Sequence, residues 1–259
     1  MLGMGDVWAV ADAYEAYVGR WSRRVAREFV AWLAAPPGGR WLDAGCGTGA
    51  LSEAVLAVAA PARVTGVDTS RGFLTAAGAG AVPVNGSAAA LPLRDDSFDA
   101  VVSGLALNFI PDPGAAVAEF ARVAAPGAVV AAYVWDYADG MRMMRYFWDA
   151  ARDTDPAAAE ADEAPRFPIC HPDALRAAWT VAGLRDVTTR AVEIPTVFAD
   201  FDDYWHPFLG GQGPAPAYLA RQHPAQRERI RRLLDERLPR TDGGEIALTA
   251  AAWAVRGRI

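Results

Sequence analysis

The segment Trp41 to Ala50, WLDAGCGTGA, decides how the rest of the chain is read. Arg40 to Ala44 has a strand pattern. It runs into three closely spaced glycines, Gly45, Gly47 and Gly49, and a helical pattern follows at once. Such a turn lets backbone approach a ligand closely, and the start of the next helix offers it oriented N–H groups. Outward from this turn, strand patterns recur at Arg63 to Val67, Ala81 to Asn85, Phe98 to Ser103 and Ala128 to Trp135. Helical patterns separate them at Gly49 to Ala59, Ser70 to Ala79 and Gly114 to Ala124. Strands alternating with helices predict an α/β fold, a parallel sheet covered on both faces.

Ahead of this core, Val18, Trp21, Val25, Phe29 and Trp32 continue a helical spacing begun at Tyr14, so one helix is expected from Asp12 to Ala34. Pro36 to Gly39 ends it. Behind the core the rhythm changes. Residues 136–171 are rich in Met and aromatics, and 199–244 hold Tyr204, Trp205, His206 and Phe208 before a Gly/Pro-rich turn. The expected organisation is therefore an N-terminal cap (1–39), a core (40–135), a first lid insertion (136–171), a core continuation (172–198), a second lid insertion (199–244) and a final core strand (245–259).

The 259 residues, 53% hydrophobic and 22% charged, describe a globular chain and not a disordered one. No apolar run has the roughly 18 residues of a membrane helix. The first residues lack the basic and apolar regions of a signal peptide, so a cytoplasmic location is expected. A net charge of −6 argues against nucleic-acid or anionic-membrane partners. Two cysteines make no disulfide framework, no Cys/His spacing suggests a metal, and the absence of Lys removes Schiff-base chemistry.

The ligand can be narrowed further. The loop spacing is G-x-G-x-G rather than the dinucleotide-binding G-x-G-x-x-G. Asp43, just before the loop, would repel a pyrophosphate and attract an ammonium group. Asp68, which ends the second strand 68 − 45 = 23 residues beyond Gly45, is placed to accept from ribose hydroxyls. A nucleoside carrying a positive charge satisfies both acids, and S-adenosylmethionine is such a molecule.

LDAGCGTG (Leu42 to Gly49), VTGVDTS (Val64 to Ser70), NGSAAALPLRDDSFDAVVS (Asn85 to Ser103) and the ALNFIPDPG segment from Ala106 stand in order. The region from Arg40 to Trp135 thereby resembles the core of class I S-adenosylmethionine-dependent methyltransferases, in the broad group that includes the ubiquinone and menaquinone methyltransferases. The resemblance implies a Rossmann-like, seven-stranded, mostly parallel sheet with one antiparallel strand, its last two strands at the edge, and a partly helical lid. It implies that Asp43, Gly45 and Gly47 hold the methionine portion, Asp68 the ribose and Thr69 the adenine edge. Ser87 and Ala88 match the position that caps adenine, and Leu105 lies beside the sulfonium. Cys46 falls among these loop positions and is read as a packing residue rather than a catalytic thiol. Ser87 departs from the family, which commonly has an Asp there to accept from the adenine amino group; a neutral hydroxyl makes the weaker bond. In related enzymes an aromatic N-terminal helix folds over the cofactor, a role open to Tyr17 and Arg20 alongside simple packing.

Other residues have plain structural readings. Asp95, Asp96 and Asp99 read as a solvated turn, and the Arg-rich run near Arg227 to Arg232 as an exposed helix face. His171 and His223 each precede a proline at a helix start. His206, among Tyr204, Trp205 and Phe208, is the candidate general base, with apolar neighbours expected to keep it neutral. The segment after the fourth strand, SGLALNF, has neither the Pro-Pro-aromatic pattern of amide or amino methyltransferases nor a Pro-Cys pair. The expected function is methyl transfer to a small, apolar or aromatic acceptor at O, N or C. A cofactor-binding protein that catalyses another reaction, such as cyclisation, or acts as a regulator stays open. A nicotinamide-dependent oxidoreductase is disfavoured by Asp43 and the loop spacing.

Overall fold

The computed structural model describes residues 15–77, 80–211 and 213–259. Of the expected elements, the start of the first helix, with Tyr14, and the end of the Ser70–Ala79 helix lie outside the described residues. The strand patterns form one seven-stranded sheet: β1 (Arg40–Ala44), β2 (Arg63–Asp68), β3 (Val82–Asn85), β4 (Phe98–Gly104), β5 (Ala124–Trp135), β6 (Arg185–Phe198) and β7 (Ile246–Arg258), in the order β3-β2-β1-β4-β5-β7-β6. The pairs β1–β2, β1–β4, β2–β3 and β4–β5 are parallel, and β7 is antiparallel to β5.

Burial explains which strand lies where. After its first residue β1 is buried throughout, and β5 is continuously buried from Ala128 to Trp135, as strands covered on both faces must be. From Val192 on β6 alternates buried with exposed residues, and β3 has no buried residue, which suits the two edges. The interval between the expected helix end at Ala124 and the expected strand start at Ala128 belongs to β5 as an irregularity. Pro126 offers no N–H and Gly127 has φ +80°, yet Ala124 still pairs with Phe98 before the register shifts.

The helices around these strands are α1 (Arg20–Leu33), preceded by a π-turn at Glu15–Gly19, α2 (Ala50–Val58), α3 (Arg71–Ala76), α4 (Pro113–Val123), α5 (Arg142–Thr154), α6 (Glu163–Arg166), α7 (Pro172–Val181), α8 (Phe201–Trp205), α9 (Pro214–Arg221) and α10 (Pro224–Arg237). Among the described residues no helix is long and apolar enough to cross a membrane.

Two compact units make up the chain. One holds Ser22–Trp135, Pro168–Val192 and Ala252–Ile259. In it Phe29 packs 4.6 Å from the Tyr133 ring, and the buried Trp179 indole donates to the Val130 carbonyl at 2.9 Å. Arg256 closes the end of α1, donating to the Trp32 carbonyl at 2.7 Å while its guanidinium lies over the Trp32 ring. The other unit holds Met1–Trp21, Asp136–Phe167 and Glu193–Ala251, so most of both insertions belongs to a single body. Its core is aromatic. Phe147 stacks on Phe208 at 4.7 Å, Tyr17 meets Phe208 edge-on at 5.4 Å, and the Tyr204 hydroxyl donates to the Met143 carbonyl at 2.8 Å. The aromatic density of the insertions is thus, to a large extent, the packing of this unit.

Candidate functional site

In the sheet-bearing unit, β1 neighbours both β2 and β4, so the strand order reverses there. In open α/β sheets ligands bind outside the carboxyl ends of the strands at such a point. The loops after β1, β2 and β4 all leave from those ends.

The loop after β1 is shaped by its glycines and by β2. The backbone N–H groups of Gly45 and Cys46 both donate to the Val67 carbonyl, at 2.8 and 3.0 Å. Gly45 and Gly47 have φ of +77° and +52°, a region that costs most other residues about 1–2 kcal/mol. A Cβ on Gly45 would stand 2.6 Å from Ala106 Cβ, so this glycine is also required by the loop after β4. Gly49 precedes α2 without a side-chain cap, leaving the first N–H groups of that helix for other acceptors.

Asp43 lies fully buried at the end of β1. Its Oδ2 accepts from Ser52 Oγ of α2 at 2.7 Å, while Oδ1 has no hydrogen-bond partner. Burial pushes its pKa up to about 7; the Ser52 bonds oppose that shift, and the nearby Asp68 adds to it. A buried carboxylate oxygen without a donor is costly unless a ligand supplies one.

Asp68, at the end of β2, holds two loops together. Its Oδ2 accepts from Gly47 N at 2.9 Å and its Oδ1 from Ser70 N at 2.8 Å. Thr69 is exposed, and its carbonyl, with that of Asp68, accepts from the Asn85 side-chain amide at 3.0 Å. Asn85, at the end of β3, thus ties neighbouring strand ends together, which its place just before Gly86 did not disclose. Ser87 turns the chain locally, its Oγ accepting from Ala89 N at 3.2 Å, so one lone pair is engaged and its proton stays available. Ala88 is buried beside it. Arg122 of α4 fixes the following segment, donating to the Leu91 and Leu93 carbonyls and pairing with Asp95 and Glu119.

Leu105 follows β4 with φ +57°, and its N–H donates to the Tyr133 carbonyl at 2.8 Å. A bulky residue in this region is strained, and such strain concentrates at functional loops. Asn108, two residues after Ala106, is buried with Nδ2 unpartnered, a polar group that no motif singled out. Cys46 is buried, its sulfur close enough to Gly66 that a Cβ there would stand 2.9 Å away. Burial, reinforced by Asp43 and Asp68, holds its thiol pKa far above the ordinary value, so it is a packing group and not a thiolate nucleophile.

The remaining candidates belong to the other unit. Arg20 pairs with Asp203 at 2.8 Å and lies over the rings of Trp21 and Phe198, at 4.5 and 4.8 Å. Its Nε and Nη2 are buried without acceptors, as is the hydroxyl of Tyr17, a residue 1% exposed. His206 is exposed, whereas Tyr204, Trp205 and Phe208 are buried. The apolar enclosure expected of His206 is absent because its neighbours turn their rings into the core and leave the imidazole outside. His171 and His223 cap α7 and α10, each Nδ1 accepting a backbone N–H. Asp95 and Asp99 are held by Arg122 and Arg40.

Comparison with known proteins agrees with this geometry. The methyltransferase-domain family matches residues 42–132. The demethylmenaquinone methyltransferase of Roseiflexus castenholzii is 42% identical over 98 residues, 36% of this chain and 41% of that protein. The 2-phytyl-1,4-naphtoquinone methyltransferase of Synechococcus elongatus is 37% identical over 107 residues, 38% of this chain and 46% of that protein. The similarity thus spans less than half the length of these relatives. Among solved structures, the YcgJ protein of Bacillus subtilis shares the fold with a TM-score of 0.59 at 18% identity, over 91% of this chain and 97% of that one. Residues 42–132, from β1 into β5, are thus the part of this chain that is similar to methyltransferase domains.

Proposed function

We propose that the chain transfers the methyl group of S-adenosylmethionine to a small, apolar or aromatic acceptor at O, N or C, in the cytoplasm. The observation that carries this reading is the buried Asp43 carboxylate, one oxygen unpartnered, beneath a glycine loop at the point where strand order reverses. It suits an ammonium group and repels a pyrophosphate. In this reading Asp43 and the N–H groups around Gly45, Cys46 and Gly47 receive the methionine portion. Asp68 uses its remaining lone pairs for the ribose hydroxyls, Thr69, Ser87 and Ala88 border the adenine, and Leu105 borders the sulfonium. Tyr17 and Arg20 would face a ligand with their buried polar atoms, which lack partners within the protein. The relatives' names specify quinones, which supports an apolar acceptor. Cys46 and Cys170 are buried and not joined to each other in a disulfide, which suits a reducing compartment.

Holding nucleophile and methyl carbon in line and dry would supply most of the rate. The test is label transfer from methyl-labelled S-adenosylmethionine to a panel of naphthohydroquinones, naphthols and naphthylamines. Labelled product supports the reading. Tight binding of S-adenosylhomocysteine with conversion of an acceptor but no label in it would favour a non-methylating reaction.

A further inference from the structure

The two strands that carry Asp43 and Asp68 toward one end carry Arg40 and Arg63 at the other. Arg40 opens β1 and Arg63 opens β2, and the two are register partners in the parallel pair, so they stand side by side. Both line a pocket of about 380 Å³, formed wholly within the unit of Ser22–Trp135, Pro168–Val192 and Ala252–Ile259. A third arginine, Arg94, lines it from the segment between β3 and β4. Thr65, buried and two residues beyond Arg63 on β2, shares the face of Arg63 and adds a hydroxyl. Leu93 and Phe98 supply apolar wall.

The walls of this pocket are held in place. Arg122 of α4 donates to the Leu91 and Leu93 carbonyls at 3.1 and 3.0 Å, and the Leu91 N–H donates to Glu119 at 2.8 Å. Further on, the N–H groups of Asp96 and Ser97 donate to the Arg122 and Val123 carbonyls at 3.1 and 2.8 Å. The lining contains no carboxylate. Of the nearby acids, Asp95 pairs with Arg122, Asp96 is exposed outside the lining, and Asp99 accepts from Arg40 Nε and Nη2, both at 3.1 Å. That pair leaves Arg40 Nη1 unused. Arg63 and Arg94, both exposed, have no carboxylate partner among the described residues. In a chain of net charge −6, these guanidiniums gather at one pocket with only one of them neutralised. An anion among them would replace their mutual repulsion with attraction.

We propose that this pocket binds a phosphate monoester of a small apolar molecule, at the opposite end of the strands from the glycine loop. A guanidinium fork matches two phosphate oxygens at once, and a phosphate dianion has oxygens enough to engage Arg63, Arg94 and the free Arg40 nitrogen together. A carboxylate satisfies one fork and leaves the others facing each other. Leu93 and Phe98 cover the apolar body of the ester, and the volume is that of a small-molecule site. From Arg63 to Asp68 β2 rises about 16 Å, so a ligand here does not reach the loop beside Asp68, and both places can be filled together. The assignment is independent of the methyl-transfer reading.

Calorimetric titration of phenyl phosphate, inorganic phosphate and phenol into the full chain tests this. Phenyl phosphate should bind wild type one-to-one, about tenfold or more tighter than inorganic phosphate because its ring is covered. Phenol should not bind. Arg63→Ala and Arg94→Ala break no carboxylate pair, and each should weaken phenyl phosphate by about tenfold or more, as for hydrogen bonds to a charged group. Arg27→Ala removes the same charge from an exposed position on α1 and should change the affinity by less than about twofold. Phenyl phosphate should also raise the melting temperature of wild type and of Arg27→Ala, but not of the Arg63→Ala/Arg94→Ala double variant. Binding should persist in protein saturated with S-adenosylhomocysteine. No binding of phenyl phosphate to wild type, or equal losses in Arg27→Ala and Arg63→Ala, overturns the site. Equal affinity for inorganic phosphate overturns the ester as its ligand. Displacement of phenyl phosphate by S-adenosylhomocysteine overturns its separation from the cofactor loops.

Discussion

The Asp68 carboxylate accepts the backbone N–H of Gly47 at 2.9 Å across the gap between the ends of β2 and β1. With its second oxygen on Ser70 N, this one side chain sets both the glycine loop and the start of α3. A residue expected to read a ribose is therefore also the brace of the loop beside it. Asp68→Ala should loosen the loop before any ligand arrives, because it removes the acceptor of both N–H groups. Hydrogen exchange on the protein without ligand should show faster exchange at Gly47 and Ser70 and little change at Trp41 and Leu42 in β1. Unchanged exchange at Gly47 contradicts the bracing role.

The glycines of the loop are not equivalent. Gly45→Ala meets both a positive φ and a Cβ 2.6 Å from Ala106, whereas Gly47→Ala meets only a positive φ, with open space around the added methyl. Denaturant unfolding should cost Gly47→Ala about 1–2 kcal/mol and Gly45→Ala clearly more. Equal losses would mean that the Ala106 contact relaxes at no cost. Because the open space beside Gly47 lies on the loop that is proposed to receive the methionine portion, Gly47→Ala should also weaken S-adenosylhomocysteine binding beyond its effect on stability.

Asp43 makes a pH-dependent contribution of definite sign. Its folded pKa, about 7, stands above the unfolded value near 4, so between those limits the folded protein holds a proton that the unfolded chain loses. The contribution is fully present below about pH 4 and is lost as pH rises toward 7, by an amount on the order of a few kcal/mol. Glu163 acts in the same direction over an overlapping window. Asp43→Asn should therefore be more stable than wild type at pH 8 and should flatten the melting temperature against pH between 5 and 8. An ammonium ligand at Asp43 favours the carboxylate, so calorimetry near pH 7 in buffers of different ionisation enthalpy should show proton release from this site on S-adenosylhomocysteine binding, smaller in the variant. Identical melting profiles for wild type and Asp43→Asn contradict the assignment.

His206 is exposed, outside the apolar core that its neighbours Tyr204, Trp205 and Phe208 form. His206→Ala should keep methyl transfer within about tenfold of wild type, short of the 10²–10⁴-fold that a general base supplies. Loss of a hundredfold or more with unchanged cofactor affinity would restore it as the base.

What was legible in the sequence follows physical range. The strand–glycine turn–helix at Trp41 to Ala50, the acids Asp43 and Asp68 and the alternation behind them are local patterns, and they form the sheet and the loops as expected. His171 and His223 read as helix caps for the same reason: the proline after each marks the first turn. The aromatic residues of the insertions were harder to interpret, because periodicity reports that a face is apolar and not what covers it. Phe147, Phe208 and Tyr204 pack on one another, and His206 is turned out. The buried pairings of Glu163 with Trp148 and of Arg145 with Asp162 leave no mark in the sequence. These partners lie 15 and 17 residues apart, at spacings that announce nothing in a one-dimensional reading.

The most direct test of the central claim is calorimetric titration of S-adenosylhomocysteine and of NAD into wild type and Asp68→Ala. Wild type should bind S-adenosylhomocysteine one-to-one and should not bind NAD. In folded Asp68→Ala, affinity should be lower by about 1.5–3 kcal/mol, or roughly 10- to 150-fold, the range for hydrogen bonds to a charged group. Unchanged affinity in Asp68→Ala, or binding of NAD in place of S-adenosylhomocysteine, would contradict this cofactor assignment.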